Sequence, residues 1–320
     1  MNASAWRDPS VLVAHTAMAE QLLPHLEPLV TARRAAFLDD LPRSELAEVE
    51  VLVGHHFPER SLARLPGLRW LHLTGTGTDH LAAAGLAPGT LVTNSARVPV
   101  EPVAEYALSA LLMLLKEFPT LTARPQRRAW HTSTATLLSG STVLVVGAGR
   151  IGRAVIRKAT ALGARCIAVN RTGEREVPGA DRTVGAGRLA EVATSADHLV
   201  CCLPATAGTR RLVDGKVLAA LRPGAALVNV GRAATVDGDA LRRALETGAL
   251  RGALLDVHDI EPLPADDPRW HTPGLVVSPH CAFAFPGEPA AVARVFHDNL
   301  TDLRVGRTPR DTVPVDLRPG

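Results

Sequence analysis

Short apolar runs recur along the chain, and stretches of helical composition separate them. In the clearest run, Val143–Val146, three of the four residues are β-branched, which is typical of a strand buried on both faces. Further strands are predicted at similar apolar runs: Val11–Ala14, Val49–Val53, Trp70–Leu73, Leu91–Thr93, Cys166–Asn170, His198–Leu203, Ala226–Val230, Gly252–Val257 and Leu275–Ser278. Because strands that alternate with helices form parallel sheets, the pattern predicts an α/β protein.

The chain has 320 residues, which is long for one domain, so we expect two. The strands before Pro99–Pro102 predict a small α/β domain of their own. Val103–Phe118 then predicts a long, largely apolar helix, which lies either in a core or at a subunit interface. On the second interpretation, the chain forms a homodimer around Val103–Leu115.

A glycine motif follows the clearest strand directly. Gly147, Gly149 and Gly152 have the spacing GxGxxG, and Ile151–Gly163 has the composition of a helix. In a strand–loop–helix unit, such glycines allow a tight turn, a close approach of the backbone to a pyrophosphate, and close packing of helix on strand. The motif therefore predicts a dinucleotide site, with the diphosphate at the positive end of the helix.

The next strand ends in Asn170-Arg171-Thr172. NAD-binding folds usually place a carboxylate here, which binds the ribose hydroxyls. This chain has none, and an adjacent Arg and Thr can hold a 2′-phosphate instead. The segment therefore favours NADP(H) and leaves NAD(H) possible, with Arg171 stacked on the adenine.

Polar residues follow the last three predicted strands. Arg232 follows the first of these strands. Asp256 lies at the end of the second, with Glu261 after it, and His280 follows the third. Any one of them alone is more often structural. Because the carboxyl ends of successive parallel strands converge on one crevice, Arg, Glu and His are expected to share a site.

The loop Gly75-Thr76-Gly77 comes soon after another predicted strand, Trp70–Leu73. Glycines at such a place let backbone N–H groups face an anion. A plain turn explains the same residues equally well, so both interpretations stay open on the residues alone.

Composition excludes several classes of function. The net charge is +3, and the arginines are scattered, which argues against a nucleic-acid-binding surface. The four cysteines lack the spacing of metal ligands, so no metal site is expected. The first residues lack the order of a signal peptide, and Val103–Leu115 is too short to span a membrane. We therefore expect a cytoplasmic protein without a membrane partner.

Four segments go beyond a generic dinucleotide fold. They are Ala-Leu-Val-Asn-Val-Gly-Arg (226–232), Gly-Ala-Leu-Leu-Asp (252–256), Glu-Pro-Leu-Pro (261–264) and Ser-Pro-His (278–280). With them the chain resembles the D-isomer-specific 2-hydroxyacid dehydrogenase family, in its glyoxylate/hydroxypyruvate reductase-like branch. The similarity covers Leu68–Leu81, Thr93–Tyr106 and nearly all of Ser139–Asn299.

The resemblance implies two doubly wound parallel-sheet domains, with a Rossmann domain inserted into a flavodoxin-like one. Residues 1–98 and 286–320 would form the substrate-binding domain, and residues 99–285 the dinucleotide-binding domain.

The resemblance also implies roles for single residues. Arg232 would bind the substrate carboxylate and polarise the ketone, and Glu261 would pair with the catalytic His280. The loop Gly75-Thr76-Gly77 would hold the substrate carboxylate, while Asp256 would contact the nicotinamide. The expected cofactor-binding set is Gly147, Gly149, Arg150, Ile151, Gly152, Asn170, Arg171, Thr172, Leu203, Pro204, Thr209, Val230, Gly231 and Asp256.

Two features depart from the family pattern. Ala233 stands where a glycine usually follows the catalytic arginine, and Phe283 and Phe285 replace a run that commonly contains glycine and threonine. Phenylalanines at these positions would narrow the pocket or line it with apolar surface, so the sequence leaves the choice of substrate open while the expected chemistry stays the same.

These observations predict a hydride-transferring enzyme that reduces a small 2-keto acid with NADPH or NADH. The alternative is a non-catalytic dinucleotide sensor of the same fold, which can also retain the Arg, Glu and His residues. Formate or phosphite oxidation is disfavoured, because the formate enzymes of this family carry Gln at the position of Glu261.

Overall fold

The computed structural model describes residues 6–16, 18–27, 30–78, 80–123 and 135–314. The chain divides into two compact units. The first consists of Met1–Pro99 and Phe285–Gly320, and the second of Val100–Ala284. Elements are numbered β1–β12 and α1–α10 in chain order.

The first unit is built on a five-stranded parallel sheet in its described part. Its strands are β1 (Val11–Ala14), β2 (Ala32–Ala35), β3 (Val51–Gly54), β4 (Trp70–Leu73) and β5 (Leu91–Asn94). Its helices are α1 (Ala19–Leu26), α2 (Arg43–Ala47), α3 (Leu81–Ala84) and α10 (Glu288–Arg304). The strand order β2-β1-β3-β4-β5 is the flavodoxin-like order.

The last helix of the chain, α10, belongs to the core of this first unit. The ring of Phe296 on α10 stacks on Trp70 of β4, with ring centroids 4.7 Å apart. Both side chains are fully buried. The C-terminal segment thus completes a unit that the first hundred residues begin.

The second unit contains a seven-stranded parallel sheet in its described part. Its strands are β6 (Thr142–Val146), β7 (Arg165–Asn170), β8 (Arg182–Gly185), β9 (His198–Cys201), β10 (Ala225–Asn229), β11 (Leu250–Leu255) and β12 (Leu275–Val277). Its helices are α4 (Val100–Leu115), α5 (Phe118–Ala123), α6 (Arg150–Ala161), α7 (Leu189–Ala193), α8 (Gly215–Ala220) and α9 (Gly238–Glu246). The order β12-β11-β10-β9-β6-β7-β8 contains the Rossmann order with one strand added. The predicted fold class, two doubly wound parallel sheets, is therefore confirmed.

The sequence pattern missed two strands, and both lie at sheet edges. In β2, two arginines stand between two alanines, and β8 begins with Arg182. An edge strand has a neighbour on one side only, so half-exposed charged residues are tolerated there. Such strands lack the apolar run by which the buried strands were recognised.

The apolar helix α4 is buried on one face within its own unit. Eight of its residues are buried, among them Leu111 and Leu115, and they join the core that includes α6 and the strands β6 and β10. The helix starts at Val100, and Phe118 belongs to the separate helix α5, so the predicted span was shifted. Much of the apolar surface that suggested an interface is thus covered inside one chain, and the homodimer stays a prediction.

No helix in the described part of the chain combines the length and the apolar character needed to cross a membrane.

Candidate active site

The glycine loop lies between β6 and α6, beside the point where the strand order reverses. Gly147 has φ +99°, and a Cβ there would lie 2.9 Å from the backbone of Cys202. A Cβ on Gly152 would lie 2.2 Å from the Gly147 oxygen, so this glycine lets α6 pack on the loop. A Cβ on Gly149 would meet no protein atom within 4 Å. The fold itself requires the first and third glycines, and the second leaves open space at the helix start.

Backbone donors are available at this open space. Gly147 N–H and Ala148 N–H both donate to the Val169 oxygen, and the Gly149 oxygen accepts the bond from Arg153 N–H. Arg153 is thus the first N–H donor that bonds within the helix. The N–H groups of Gly149, Arg150 and Ile151 come before it in the chain, so they have no acceptor within the helix. Donors at the positive end of a twelve-residue helix, beside space that a side chain would fill, fit a diphosphate group.

At the end of β7, Asn170 organises the loop that follows. Its side-chain oxygen accepts from Gly173 N–H at 2.6 Å, and its Nδ2 donates to the Arg175 oxygen at 2.9 Å. Arg171 and Thr172 are exposed on this loop. Asn170, expected to bind the cofactor, thus has its amide engaged in holding the loop that presents Arg171 and Thr172.

Leu203, Pro204 and Thr209 belong to the segment after β9. The Thr209 hydroxyl donates to the Pro204 oxygen at 2.7 Å and accepts from Thr206 N–H at 2.8 Å, so it closes this loop. A Cβ on Gly231 would lie 2.6 Å from the Leu203 nitrogen. Glycine is therefore required where the segments after β9 and β10 touch.

The backbone of Arg232 is held by the side chain of Asn229. The Asn229 oxygen accepts from Gly231 N–H at 3.0 Å, and its Nδ2 donates to the Arg232 oxygen at 3.1 Å. The Thr235 hydroxyl donates to the same oxygen at 2.6 Å. Val230 is buried, whereas Arg232 is partly exposed. Asn229 and Thr235 thus position the predicted catalytic arginine, and neither was predicted from the sequence as a site residue.

Asp256 is 1% exposed and holds the loop that carries His280. Its Oδ1 accepts from the Ser278 hydroxyl at 2.6 Å and from Cys281 N–H at 3.0 Å, and its Oδ2 accepts from Ala282 N–H at 3.0 Å. The residue expected to contact the nicotinamide therefore has a structural role as well. It ties the end of β11 to the loop after β12.

The same loop holds His280 in the left-handed region, with φ +51°. This conformation costs free energy for any residue other than glycine, so it persists only where surrounding contacts enforce it. The N–H groups of the next two residues, Cys281 and Ala282, donate to the Asp256 carboxylate and supply that constraint. The backbone at His280 is thereby fixed, and the contact with Glu261 holds the imidazole that projects from it.

Glu261 and His280 form the central contact of the site. Nδ1 of His280 lies 2.7 Å from Oε2 of Glu261, and the two side chains are 40% and 37% exposed. Since an ionised carboxylate only accepts, Nδ1 carries the proton that is shared with it. Partial burial raises the pKa of Glu261, but the N–H of His258 and the His280 ring outweigh this and leave that pKa below its usual value. The carboxylate is therefore charged at neutral pH.

A second histidine links the two loops of this pair. His258 is buried; its N–H donates to Oε1 of Glu261 at 2.8 Å, and its Nε2 lies 3.0 Å from the Ser278 oxygen. Because a carbonyl only accepts, Nε2 carries a proton. His258 thus holds Glu261 from one side while it binds the strand end that leads to His280. Only side-chain contacts across neighbouring strands could reveal this role.

Gly75, Thr76 and Gly77 lie after β4 in the first unit. The Thr76 oxygen accepts from Asn94 Nδ2 at 2.9 Å, and a Cβ on Gly75 would lie 2.4 Å from the ring of His55. The loop is thus fixed by β5, and any side chain in place of its first glycine would displace the imidazole of His55.

In the second unit, the structure brings together the predicted residues at the carboxyl ends of β6, β9, β10, β11 and β12. A glycine loop suited to a diphosphate, a held arginine and a carboxylate–imidazole pair occur on neighbouring strands of one sheet. Such an arrangement can bind a dinucleotide, orient an anion and transfer a proton.

Comparisons with known proteins agree with this chemistry. The sequence model of the family described as "D-isomer specific 2-hydroxyacid dehydrogenase, NAD binding domain" matches residues 108–282. A glyoxylate/hydroxypyruvate reductase A from Serratia proteamaculans (strain 568) is 31% identical over 267 residues, which are 81% of this chain and 84% of that protein.

Solved structures match nearly the whole chain. A D-isomer specific 2-hydroxyacid dehydrogenase family protein from Aeromonas salmonicida subsp. salmonicida A449 superposes with a TM-score of 0.85 at 30% identity, covering 96% of this chain and 99% of that one. A second, from Xanthobacter autotrophicus Py2 in complex with NADPH and MES, has a TM-score of 0.84 at 27% identity, covering 96% and 98%.

Proposed function

The chain belongs to the D-isomer-specific 2-hydroxyacid dehydrogenase family, and from this premise we propose that it reduces a small 2-keto acid to the D-2-hydroxy acid, preferably with NADPH. It is an NAD(P)-dependent oxidoreductase of small keto and hydroxy acids. The observation that carries the proposed chemistry is the 2.7 Å contact between Glu261 and His280. It supplies a proton donor of the kind that ketone reduction needs.

The cofactor would lie along the glycine loop. The N–H groups of Gly149, Arg150 and Ile151 would bind its diphosphate, and the segment Val230–Gly231 would lie near the nicotinamide, with Leu203 and Pro204 beside it. When bound, the cofactor supplies the hydride. Asp256 would contact the nicotinamide from its buried position, in addition to holding the His280 loop.

The preference for NADPH rests on the loop after β7. No carboxylate stands at Asn170, and the Asn170 amide holds the loop together. Arg171 and Thr172 are exposed there and can bind a 2′-phosphate by charge and by hydroxyl. The relative from Xanthobacter autotrophicus Py2, which is bound to NADPH, supports the same preference.

The substrate would be oriented through its carboxylate. The planar guanidinium of Arg232 can contact the carboxylate and the ketone oxygen together, because its backbone is held on both sides by Asn229. The N–H groups of Thr76 and Gly77 would bind the carboxylate as well. Charge and orientation together lower the barrier for hydride arrival at the carbonyl carbon.

His280 would then donate a proton to the forming alkoxide. Its Nδ1 is directed at Glu261, which leaves Nε2 for the substrate oxygen. The contact with the carboxylate holds the ring in place and so directs Nε2 away from Glu261. In the reverse reaction the neutral ring would accept the proton from the hydroxy acid.

We further propose that residues 1–98 and 286–320 form the substrate-binding domain, and that the protein is a cytoplasmic homodimer around α4. The partly buried Leu112 and Met113 would belong to the dimer contact. Sedimentation at micromolar concentration tests it, and a monomer there would remove the interface interpretation.

The function is tested by following NADPH oxidation with a panel of 2-keto acids, from glyoxylate and hydroxypyruvate to branched and aryl examples. We expect at least one to be reduced, with a D-2-hydroxy acid as product. His280→Ala should lose about a hundredfold or more of the rate. Dinucleotide binding without turnover of any keto acid would contradict the proposal and favour a sensor.

A further inference from the structure

An exposed phenyl ring lies directly beside the imidazole of the proposed proton donor. The ring centroids of Phe283 and His280 are 5.8 Å apart, and the planes are inclined at 85°. The phenylalanine is 37% exposed. A single exposed apolar residue is common and does not by itself indicate a binding site. Phe283, however, lies next to the imidazole that would contact the substrate.

The attachment of this ring is rigid. Ala284 N–H donates to the Cys281 oxygen at 3.0 Å, which closes a turn with Phe283 inside it. The preceding residue, Ala282, is buried and donates to the carboxylate of Asp256. The backbone that carries the phenyl group is therefore held on both sides of Phe283.

The geometry of proton transfer brings the substrate close to this surface. Nδ1 of His280 is bound to Glu261, so Nε2 must approach the ketone oxygen to within about 2.6–3.2 Å. The carbonyl carbon then lies next to the imidazole, and the phenyl ring beside that imidazole is within reach of a group attached to this carbon.

Charge decides which group on the carbonyl carbon lies beside the phenyl ring of Phe283. The carbonyl carbon of a 2-keto acid carries a carboxylate and a side chain. A carboxylate against a phenyl face would lose water without gaining a partner, and the guanidinium of Arg232 is the better neighbour for it. The side chain is therefore the group directed towards Phe283.

We propose that Phe283 is the specificity-determining wall for the substrate's side chain, and that the preferred substrates are 2-keto acids with an aliphatic or aryl side chain. Glyoxylate, which has no side chain, and hydroxypyruvate, whose side chain is polar, gain nothing from this wall. The inference rests on the proposed function, since it assumes that His280 protonates a 2-keto acid.

The test compares kcat/KM for 4-methyl-2-oxopentanoate, phenylpyruvate and glyoxylate in the unmutated protein and in Phe283→Ala. An apolar contact of a few carbons discriminates by about tenfold. We expect Phe283→Ala to lose about tenfold with the two bulky acids and to change glyoxylate less than about threefold. Phe283→Leu, which restores an apolar surface, should recover most of the loss with the aliphatic acid.

Phe118→Ala is the matched control. It removes a phenyl group that is also exposed, on α5 of the same unit, and should leave the ratio between substrates unchanged. A ratio unaltered by Phe283→Ala would overturn the inference, as would an equal loss with all three acids or a rise in the KM for NADPH alone. Those results leave the proposed function standing, which fails only if the unmutated protein reduces no 2-keto acid.

Discussion

Replacing Glu261 with glutamine removes the charge beside His280 and keeps a side chain of the same shape. Ketone reduction requires the charged imidazole, so the rate falls as pH rises through its deprotonation. The carboxylate oxygen lies 2.7 Å from Nδ1, and an opposite charge this close stabilises the charged form. The basic limb of the kcat/KM profile should therefore move to lower pH in Glu261→Gln.

The same substitution weakens the contact itself. A hydrogen bond to a charged group contributes about 1.5–3 kcal/mol, and solvent screens this pair because both side chains are more than one third exposed. We therefore expect kcat/KM for ketone reduction to fall by about tenfold, the lower end of that range. The amide also has one oxygen where the carboxylate has two acceptors. It cannot accept from both His280 and the N–H of His258, and one donor loses its partner.

The assay measures initial rates of NADPH oxidation across pH at low substrate, with thermal unfolding measured beside it. Glu246→Gln, which removes an exposed charge from α9 of the same unit, serves as the control and should leave the limb in place. For oxidation of the hydroxy acid, the acidic limb should shift in the same direction, because the neutral ring is then required. An unchanged profile in a folded Glu261→Gln protein would refute the pairing.

Four further substitutions test the rest of the site. Arg171→Ala should lower the preference for NADPH over NADH by about 1–3 kcal/mol, the size of a charge-assisted hydrogen bond; equal use of both cofactors by the unmutated protein would contradict the premise. Arg232→Lys keeps the charge and loses the planar contact, so kcat should fall and KM rise, whereas kinetics like those of the unmutated protein would exclude two-point binding. The Cβ of Gly149→Ala would meet no protein atom, so this variant should fold normally, and it should bind NADPH more weakly because the Cβ would occupy the space proposed for the diphosphate. The Cβ of Gly152→Ala would lie 2.2 Å from the Gly147 oxygen, so this variant should be less stable. Calorimetry and fluorescence titration distinguish these two variants, and equal stability of both would contradict the assignment.

The amino-acid sequence by itself determined the fold class, because buried parallel strands are continuous apolar runs. Nearly every strand with two neighbours was located within one or two residues, as Trp70–Leu73 and Val143–Val146 illustrate. The edge strands β2 and β8 were missed, since half-exposed backbone accepts Arg33, Arg34 and Arg182 without penalty. A run of apolar residues marks a strand only where the strand is buried, and β2 and β8 are mostly exposed or half-buried.

The sequence likewise indicated which residue types carry the chemistry, because each follows a strand in a fold whose strand ends meet. The structure decided how these residues are held. The side chains of His258 and Ser278 contact groups on a neighbouring strand, and the spacing of residues along one strand contains no information about such contacts. The side chain of Asn229 holds the segment that follows its own strand. Asn170 and Thr209 stay predicted cofactor-binding residues, and the structure adds that their side chains hold their own loops.

The sequence predicted the strands but not the contacts that hold the site, and this difference has a simple physical origin. Strand formation and the glycine turn depend on burial and backbone freedom, which are properties of a few consecutive residues. The angle of His280 depends on a buried carboxylate 24 positions earlier in the chain, whose oxygens bind the two N–H groups after the histidine. Only the folded sheet brings those atoms within hydrogen-bonding distance, so only the tertiary structure decides where the proton donor points.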